Sequence, residues 1–349
     1  METKKSIVLY RTRGIGDIIM SFKGLNLLQN YPANIYYIGY GPALELVNRF
    51  FPYITTIDIG KNSLYKTYKI VTSKIQGIDD FIDLQMNSRS IALRTLLRLN
   101  FRMRIFKWNK RSLNQILVVF ASRISTRKFK FVFVRNYKQP SIEEMMTGCV
   151  QKCIEFLFNG RQFNAQSADH YKSILKEENN NSRTLIIAPG GSHQAKQAPI
   201  ELIISIMKIV LENAVSKFNI YLVGDEKDVS LCKEIENLLY GKTDIENLSG
   251  KIRLTDLPDV LLKADVLLAT DSAISQLGNF LNVPTAVLLG PTIEGFGFAV
   301  ETENKSIFSA QTFCRPCSRH GSIVCSYNDK KCFNDIDANN VAGFLLKHV

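Results

Sequence analysis

At 349 residues the chain is long for one typical domain and comfortable for two. Apolar residues at 46% and charged residues at 22% are ordinary for a soluble globular protein, and no apolar run approaches the roughly 20 residues that span a bilayer, which excludes a membrane-spanning helix. The net charge of +12 points to an anionic partner: lipid headgroups, a phosphorylated glycan or nucleic acid.

Residues 5–10 (KSIVLY) read as a first buried strand. The N-terminus enters that strand directly, so no signal peptide is expected and the cytoplasm is the expected location. In that compartment the seven cysteines stay thiols or bind metal. Arg11-Thr12-Arg13-Gly14-Ile15-Gly16-Asp17 follows, then an amphipathic helix over 18–29. The Gly-x-Gly pair falls short of a dinucleotide fingerprint, because Ile19 stands where the third glycine belongs. What remains is a glycine turn that sets Asp17 at the mouth of a helix. There it either complements the helix dipole or presents a carboxylate at the strand's C-terminal edge. Arg11 and Arg13 in the same turn are candidates to bind an anionic acceptor.

Residues 35–38, 55–59 and 81–84 read as further short strands between helical stretches, the alternation of a doubly wound sheet. From 84 to 142 there is no Asp or Glu but fourteen Lys and Arg, more than the whole net excess. Phe101, Phe106 and Trp108 interleave with this charge. Such a segment suits a peripheral membrane surface, and a solvated basic face carries similar weight. A strand over 129–134 and a helix over 141–157 are expected next. Residues 177–183 (EENNNSR) read as an interdomain linker.

A second alternating unit begins at strand 185–188. It continues with a turn at Pro189-Gly190-Gly191-Ser192, helix 199–211, strand 218–223, a turn at 224–228, and helices 229–239 and 254–263. Residues 266–269 form a buried strand, Thr270-Asp271-Ser272 supply N-cap chemistry, and a helix runs to about 281. Strand 285–289 then stops at Gly290-Pro291-Thr292. Strand ends feeding helix N-termini are where parallel sheets bind ligands, and free N–H groups there favour an anion. A nucleotide diphosphate is therefore expected on 271–275, with Ser272, Ala273 and Ile274 offering N–H groups. Asp271 would accept a hydrogen bond from the donor or cap the helix, and Gly290, Pro291 and Thr292 would form a neighbouring wall. Glu226 or Asp228 would bind ribose hydroxyls. Cys314, Cys317, Cys325 and Cys332 supply enough thiolates for a tetrahedral structural metal site, with packed free thiols as the alternative. A closing helix is expected over 335–348.

The motifs in order resemble glycosyltransferase family 9, which includes the lipopolysaccharide heptosyltransferases. Gly16-Asp17 followed by Pro32 resembles its N-terminal element. Ala188-Pro189-Gly190 through Lys196 and Pro199 resembles its strand–loop–Lys–x–x–Pro segment. Leu248-Ser249-Gly250-Lys251, Ala264-Asp265 and Asp271-Ser272 resemble its central block, and Leu289-Gly290-Pro291-Thr292 its closing one. Ala273 and Gln276 stand where the family usually has Gly and His, and Gln carries neither the proton nor the charge of His.

The resemblance implies an α/β GT-B fold, two Rossmann-like domains facing a central cleft. The acceptor domain would span 1–176 and the donor domain 183–334, with 335–349 packing back on the first. It implies an inverting, metal-independent transfer of a heptose or related sugar from a nucleotide-diphosphate donor to an anionic glycolipid or polysaccharide. Asp17 would be the base and Lys196 the diphosphate contact, while Gly190 and Gln276 would line the donor. No cofactor is needed for transfer, and zinc or iron at the cysteines would be structural, iron being bound there by some members. The enzyme would work as a peripheral protein at the inner membrane face. A non-catalytic nucleotide- or glycan-binding GT-B protein is the alternative. Nucleic-acid binding ranks last, since it leaves the Lys196 and Asp271 segments without a role.

Overall fold

The computed structural model describes residues 4–108, 112–124, 137–158, 183–322, 325 and 329–349. They form two compact units. One gathers the described residues up to 108 with 142–158; the other gathers 112–124, 137–141 and those from 183 onward. The stretches 112–124 and 137–141, assigned from sequence to the acceptor domain, therefore belong to the second unit. The expected strand 129–134 and linker 177–182 lie outside the described residues.

The first unit is a five-stranded parallel sheet in the order β3-β2-β1-β4-β5. Its strands are β1 (Lys5–Tyr10), β2 (Ala33–Gly39), β3 (Ile54–Asp58), β4 (Asp80–Asp83) and β5 (Arg104–Lys107). Five of the six β1 residues are buried, as a strand covered on both faces requires. The helix expected over 18–29 is two short ones, α1 (Ile15–Met20) and α2 (Phe22–Asn26). Ser21 sits at the break and bonds back to the Ile18 carbonyl at 2.6 Å, an alternative to helical continuation. Helices α3 (Ala43–Phe50), α4 (Leu64–Lys74) and α5 (Ser88–Asn100) complete the alternation.

Part of the basic run is satisfied internally. Arg104, in register with Asp80 across the strand pair, makes two bonds to its carboxylate at 2.6 and 2.8 Å. Arg94 bonds Asp83 at 2.9 Å, and Asp83 also accepts from Ser90 Oγ and from the N–H groups of Gln85 and Met86. Both aspartates are fully buried, so their charges require these partners. After α6 (Ser112–Ile124), which belongs to the second unit, helix α7 (Ile142–Phe158) returns to pack on α2, β4 and β5.

The second unit is a six-stranded parallel sheet in the order β11-β10-β9-β6-β7-β8. The strands are β6 (Arg183–Ala188), β7 (Phe218–Leu222), β8 (Asp244–Asn247), β9 (Val266–Thr270), β10 (Thr285–Leu289) and β11 (Lys305–Ser309). The chain winds outward through β7 and β8, then returns to β9 on the other side of β6. The β6/β9 junction is thus a topological switch point, and open parallel sheets bind ligands at the carboxyl ends of the strands there. Helices α8 (Ile200–Asn213), α9 (Val229–Leu239), α10 (Leu257–Leu262), α11 (Ala273–Phe280), α12 (Lys331–Asn334) and α13 (Ala338–Leu346) flank the sheet. Helix α13 lies on α8, β9 and β10, and buries Val341, Ala342 and Leu345 in the second unit's core.

Candidate functional site

Four adjacent strand ends carry the predicted donor residues. The loop after β6 holds Gly190 and Lys196, that after β7 holds Glu226 and Asp228, that after β9 holds Asp271 and Ser272, and that after β10 holds Gly290, Pro291 and Thr292. Across the switch point, Lys196 Nζ stands 2.7 Å from Asp271 Oδ2, the two side chains being 12% and 9% exposed. The Lys196 stem is confined along its length. A Cβ on Gly321 would stand 2.6 Å from Lys196 Cγ and 3.2 Å from Pro291 Cγ, so that loop lies directly against it. Lys330 Nζ bonds the carbonyls of Gln194 and Gln197 at 3.3 and 3.0 Å and fastens the same turn. The ammonium is therefore placed before any ligand arrives.

The hydroxyls of Ser272 and Thr292 are buried without a hydrogen-bond partner among the described residues. Buried orphan hydroxyls cost free energy, and a ligand oxygen at this edge would satisfy them. Ser272 stands at the N-cap position of α11 and its backbone N–H donates to Ser275 Oγ at 3.2 Å, while the first-turn N–H groups of Ala273 and Ile274 have no intrahelical acceptor by position. The Thr270 hydroxyl bonds the Gly190 carbonyl and ties the β6 and β9 loops together.

Two glycines are required by close packing. A Cβ at Gly190 would come within 2.1 Å of the Asp228 carboxyl carbon, and one at Gly290 within 2.1 Å of the Phe333 ring. Asp228 is 5% exposed, accepts from Gln197 Nε2 at 3.1 Å and from Asp225 N at 3.1 Å, and so joins the β6 and β7 loops. Burial raises its carboxyl above the ordinary value, while the bonds from Gln197 and Asp225 pull the other way. Asp228 therefore clamps the two loops together, while Glu226 is exposed. Gln276 is 7% exposed and donates to the Phe298 carbonyl at 2.8 Å, so its amide positions a loop.

In the first unit, Asp17 lies in the first turn of α1 and forms an ion pair with Arg11. Arg11 is 3% exposed and also donates to the Leu84 carbonyl. The guanidinium is thus turned inward, toward Asp17 and the Leu84 carbonyl. Arg13 is exposed and is the arginine of this turn that can meet an anion.

Among the described residues, no three His, Cys, Asp or Glu side chains stand close enough to hold an ion. Cys332 turns into the apolar core beside Phe333, where burial pushes its thiol up to about 12, while Cys317 Sγ donates to the Cys314 carbonyl at 3.5 Å. Cys314 and Cys325 complete the four and are half-buried thiols. The four thiols gather in one region, since Cys317, Cys314 and Cys325 each add to the upward push on Cys332. A further role of the segment was missed from sequence: Arg315 donates twice to the Thr292 carbonyl at 2.9 and 2.7 Å and once to Ala310 O at 2.6 Å, bracing the loop after β10.

Two parallel α/β units, one with a cation and orphan hydroxyls at a switch point, are the architecture of a GT-B-type protein. The family model for glycosyltransferase family 9 (heptosyltransferase) matches residues 115–328, more than half of the chain. This chain belongs to that family. It is similar in structure to a family 9 glycosyl transferase from Veillonella parvula DSM 2008 (16% identity, TM-score 0.67, covering 100% of this chain and 99% of that one). It is also similar to the E. coli ADP-heptose LPS heptosyltransferase II (16%, 0.64, 98% and 97%) and to E. coli heptosyltransferase WaaC with ADP (14%, 0.65, 99% and 100%). No curated protein matches the chain.

Proposed function

We propose that this glycosyltransferase moves a heptose or related sugar, with inversion, from an ADP-activated donor to an anionic glycolipid or polysaccharide. The Lys196–Asp271 pair at the β6/β9 switch point, beside the unpaired Ser272 and Thr292 hydroxyls, carries the reading. The nucleotide follows from the similar heptosyltransferase structures that hold ADP or an ADP-2-deoxy-2-fluoro heptose.

Inversion takes one displacement at the anomeric carbon. Asp17, oriented by Arg11, accepts the proton of the acceptor hydroxyl as that oxygen attacks. The bond to the diphosphate breaks, and charge develops on the leaving oxygen. Lys196 meets it with an ammonium that still has donors beyond its bond to Asp271, and the N–H groups of Ala273 and Ile274 add the helix N-terminus. A cation fixed in this way serves where a divalent metal otherwise would, so transfer proceeds in the presence of a chelator. Glu226 takes the ribose hydroxyls, and Arg13 engages the acceptor's negative charge. The Gln276 departure fits an active enzyme, because its amide is occupied in holding Phe298.

A thermal-shift panel of nucleoside diphosphates and their sugars tests the reading. ADP and an ADP-sugar raise the melting temperature of the wild type. A panel in which no nucleotide moves it sinks the proposal.

A further inference from the structure

We infer that Lys330 is a positioning residue for the transfer, holding the turn that presents Lys196 to the leaving diphosphate. This role rests on the diphosphate reading above and extends it to a side chain remote in sequence. Lys196 ends a single 3-10 turn, Gln194–Lys196, whose own bonds are few: Lys196 N donates to the His193 carbonyl at 2.8 Å and Gln197 N to the Gln194 carbonyl at 3.2 Å. One such turn is too short to hold its shape unaided. Lys330 Nζ donates to the carbonyls of Gln194 and Gln197 at 3.3 and 3.0 Å, which bracket Lys196 in the chain. Gln197 in turn donates through Nε2 to Asp228 at 3.1 Å, so the same ammonium steadies the join between the loops after β6 and β7.

The backbone at Lys330 points the same way. It stands at φ +42° and ψ +41°, the left-handed region that a lysine seldom adopts. Among the described residues, Met86 and Asn282 are the other non-glycine residues with positive φ. The conformation lets one residue reach two loops. Its carbonyl accepts from the N–H groups of Phe333 and Asn334 at 2.7 and 3.1 Å and starts α12, and α12 sets the Phe333 ring against Gly290. Its ammonium meanwhile crosses to the loop after β6. Glycine takes this backbone freely but carries no ammonium, and strain of this kind is kept where a side chain serves a functional site. A turn fixed beforehand loses no freedom when the diphosphate arrives, and Lys196 then meets the charge on the leaving oxygen without rearrangement.

The test is a double-mutant cycle in the full chain, with ADP as the probe and titration calorimetry as the measurement. Lys330→Gly suits the left-handed backbone and removes the ammonium. It is expected to weaken ADP binding by about 3–10-fold, while the melting temperature without ligand stays within about 4 °C of wild type. In a Lys196→Ala background the same substitution should change ADP affinity by less than about twofold, because Lys330 acts through Lys196. A Lys330→Gly variant that binds ADP as tightly as wild type overturns the role, as do two effects that multiply in the double variant. A melting temperature lowered further than stated overturns it too, in favour of general support of the fold. A wild type that binds no ADP, or a Lys196→Ala variant that binds it undiminished, removes the diphosphate reading and the role with it, and both are seen without touching Lys330.

Discussion

Lys196 and Asp271 meet 2.7 Å apart at the ends of neighbouring strands that the chain reaches in opposite winding directions, nearly out of contact with solvent. An ion pair so placed holds a cation at this edge of the sheet. Lys196→Ala is expected to weaken ADP binding by about 10–100-fold, since a hydrogen bond to a charged group is worth roughly 1.5–3 kcal/mol. Titration calorimetry measures this, and equal affinity in the variant would remove the diphosphate from this site. Asp271→Asn, which frees the ammonium, should bind ADP at least as tightly as wild type.

Asp228 gives a pH signature. Its carboxyl is raised by burial, so the folded state holds the proton to higher pH than the unfolded state does. Stability from this group is therefore full below the ordinary Asp value of about 3.9 and falls as pH rises through the raised one. Asp228→Asn should flatten that part of the melting-temperature profile. A variant whose profile parallels the wild type over the same range would contradict the buried clamp.

Gln276 is expected to act through Phe298. Gln276→Ala leaves the Phe298 carbonyl without its donor and should cost about 1–2 kcal/mol, a drop of roughly 2–4 °C in melting temperature. Denaturant titration separates this from a direct ligand role, in which stability without ADP would not change.

Most of the fold was legible because buried parallel strands are apolar runs between helical patterns. β1 and β10 fall at the predicted bounds, and β6, β7 and β9 lie within two residues of theirs. The edge strands β5 (RIFK), β8 (DIEN) and β11 (KSIFS) were not, since an edge strand need not carry a continuous apolar pattern. β5 in particular read as a basic aromatic segment, because its stabilising partner, Asp80, lies in another strand. At the site, Lys196 and Asp271 were legible as motif positions. The inward turn of Arg11 and the clamp role of Asp228 were not, because both depend on loops distant in sequence: Leu84 for the one, Gln197 for the other.

Arg94 should prove more important to stability than a surface arginine. Its bond at 2.9 Å reaches Asp83, which has no exposed surface, and Arg94→Met leaves that carboxylate its neutral donors alone. Breaking a buried pair costs about 3 kcal/mol. Urea unfolding checks it; a loss under about 0.5 kcal/mol, typical of exposed sites, would show the pair to be incidental.

The central claim is that Asp17 takes the acceptor's proton while a separate unit holds the donor, and Asp17→Asn tests it most directly. The substitution keeps the side chain's shape and an oxygen for Arg11 but removes the base. The account predicts that transfer from an ADP-sugar falls by about 100–10,000-fold while ADP affinity stays within about twofold of wild type. Transfer at an undiminished rate, or a loss of ADP binding equal to the loss of rate, would contradict it.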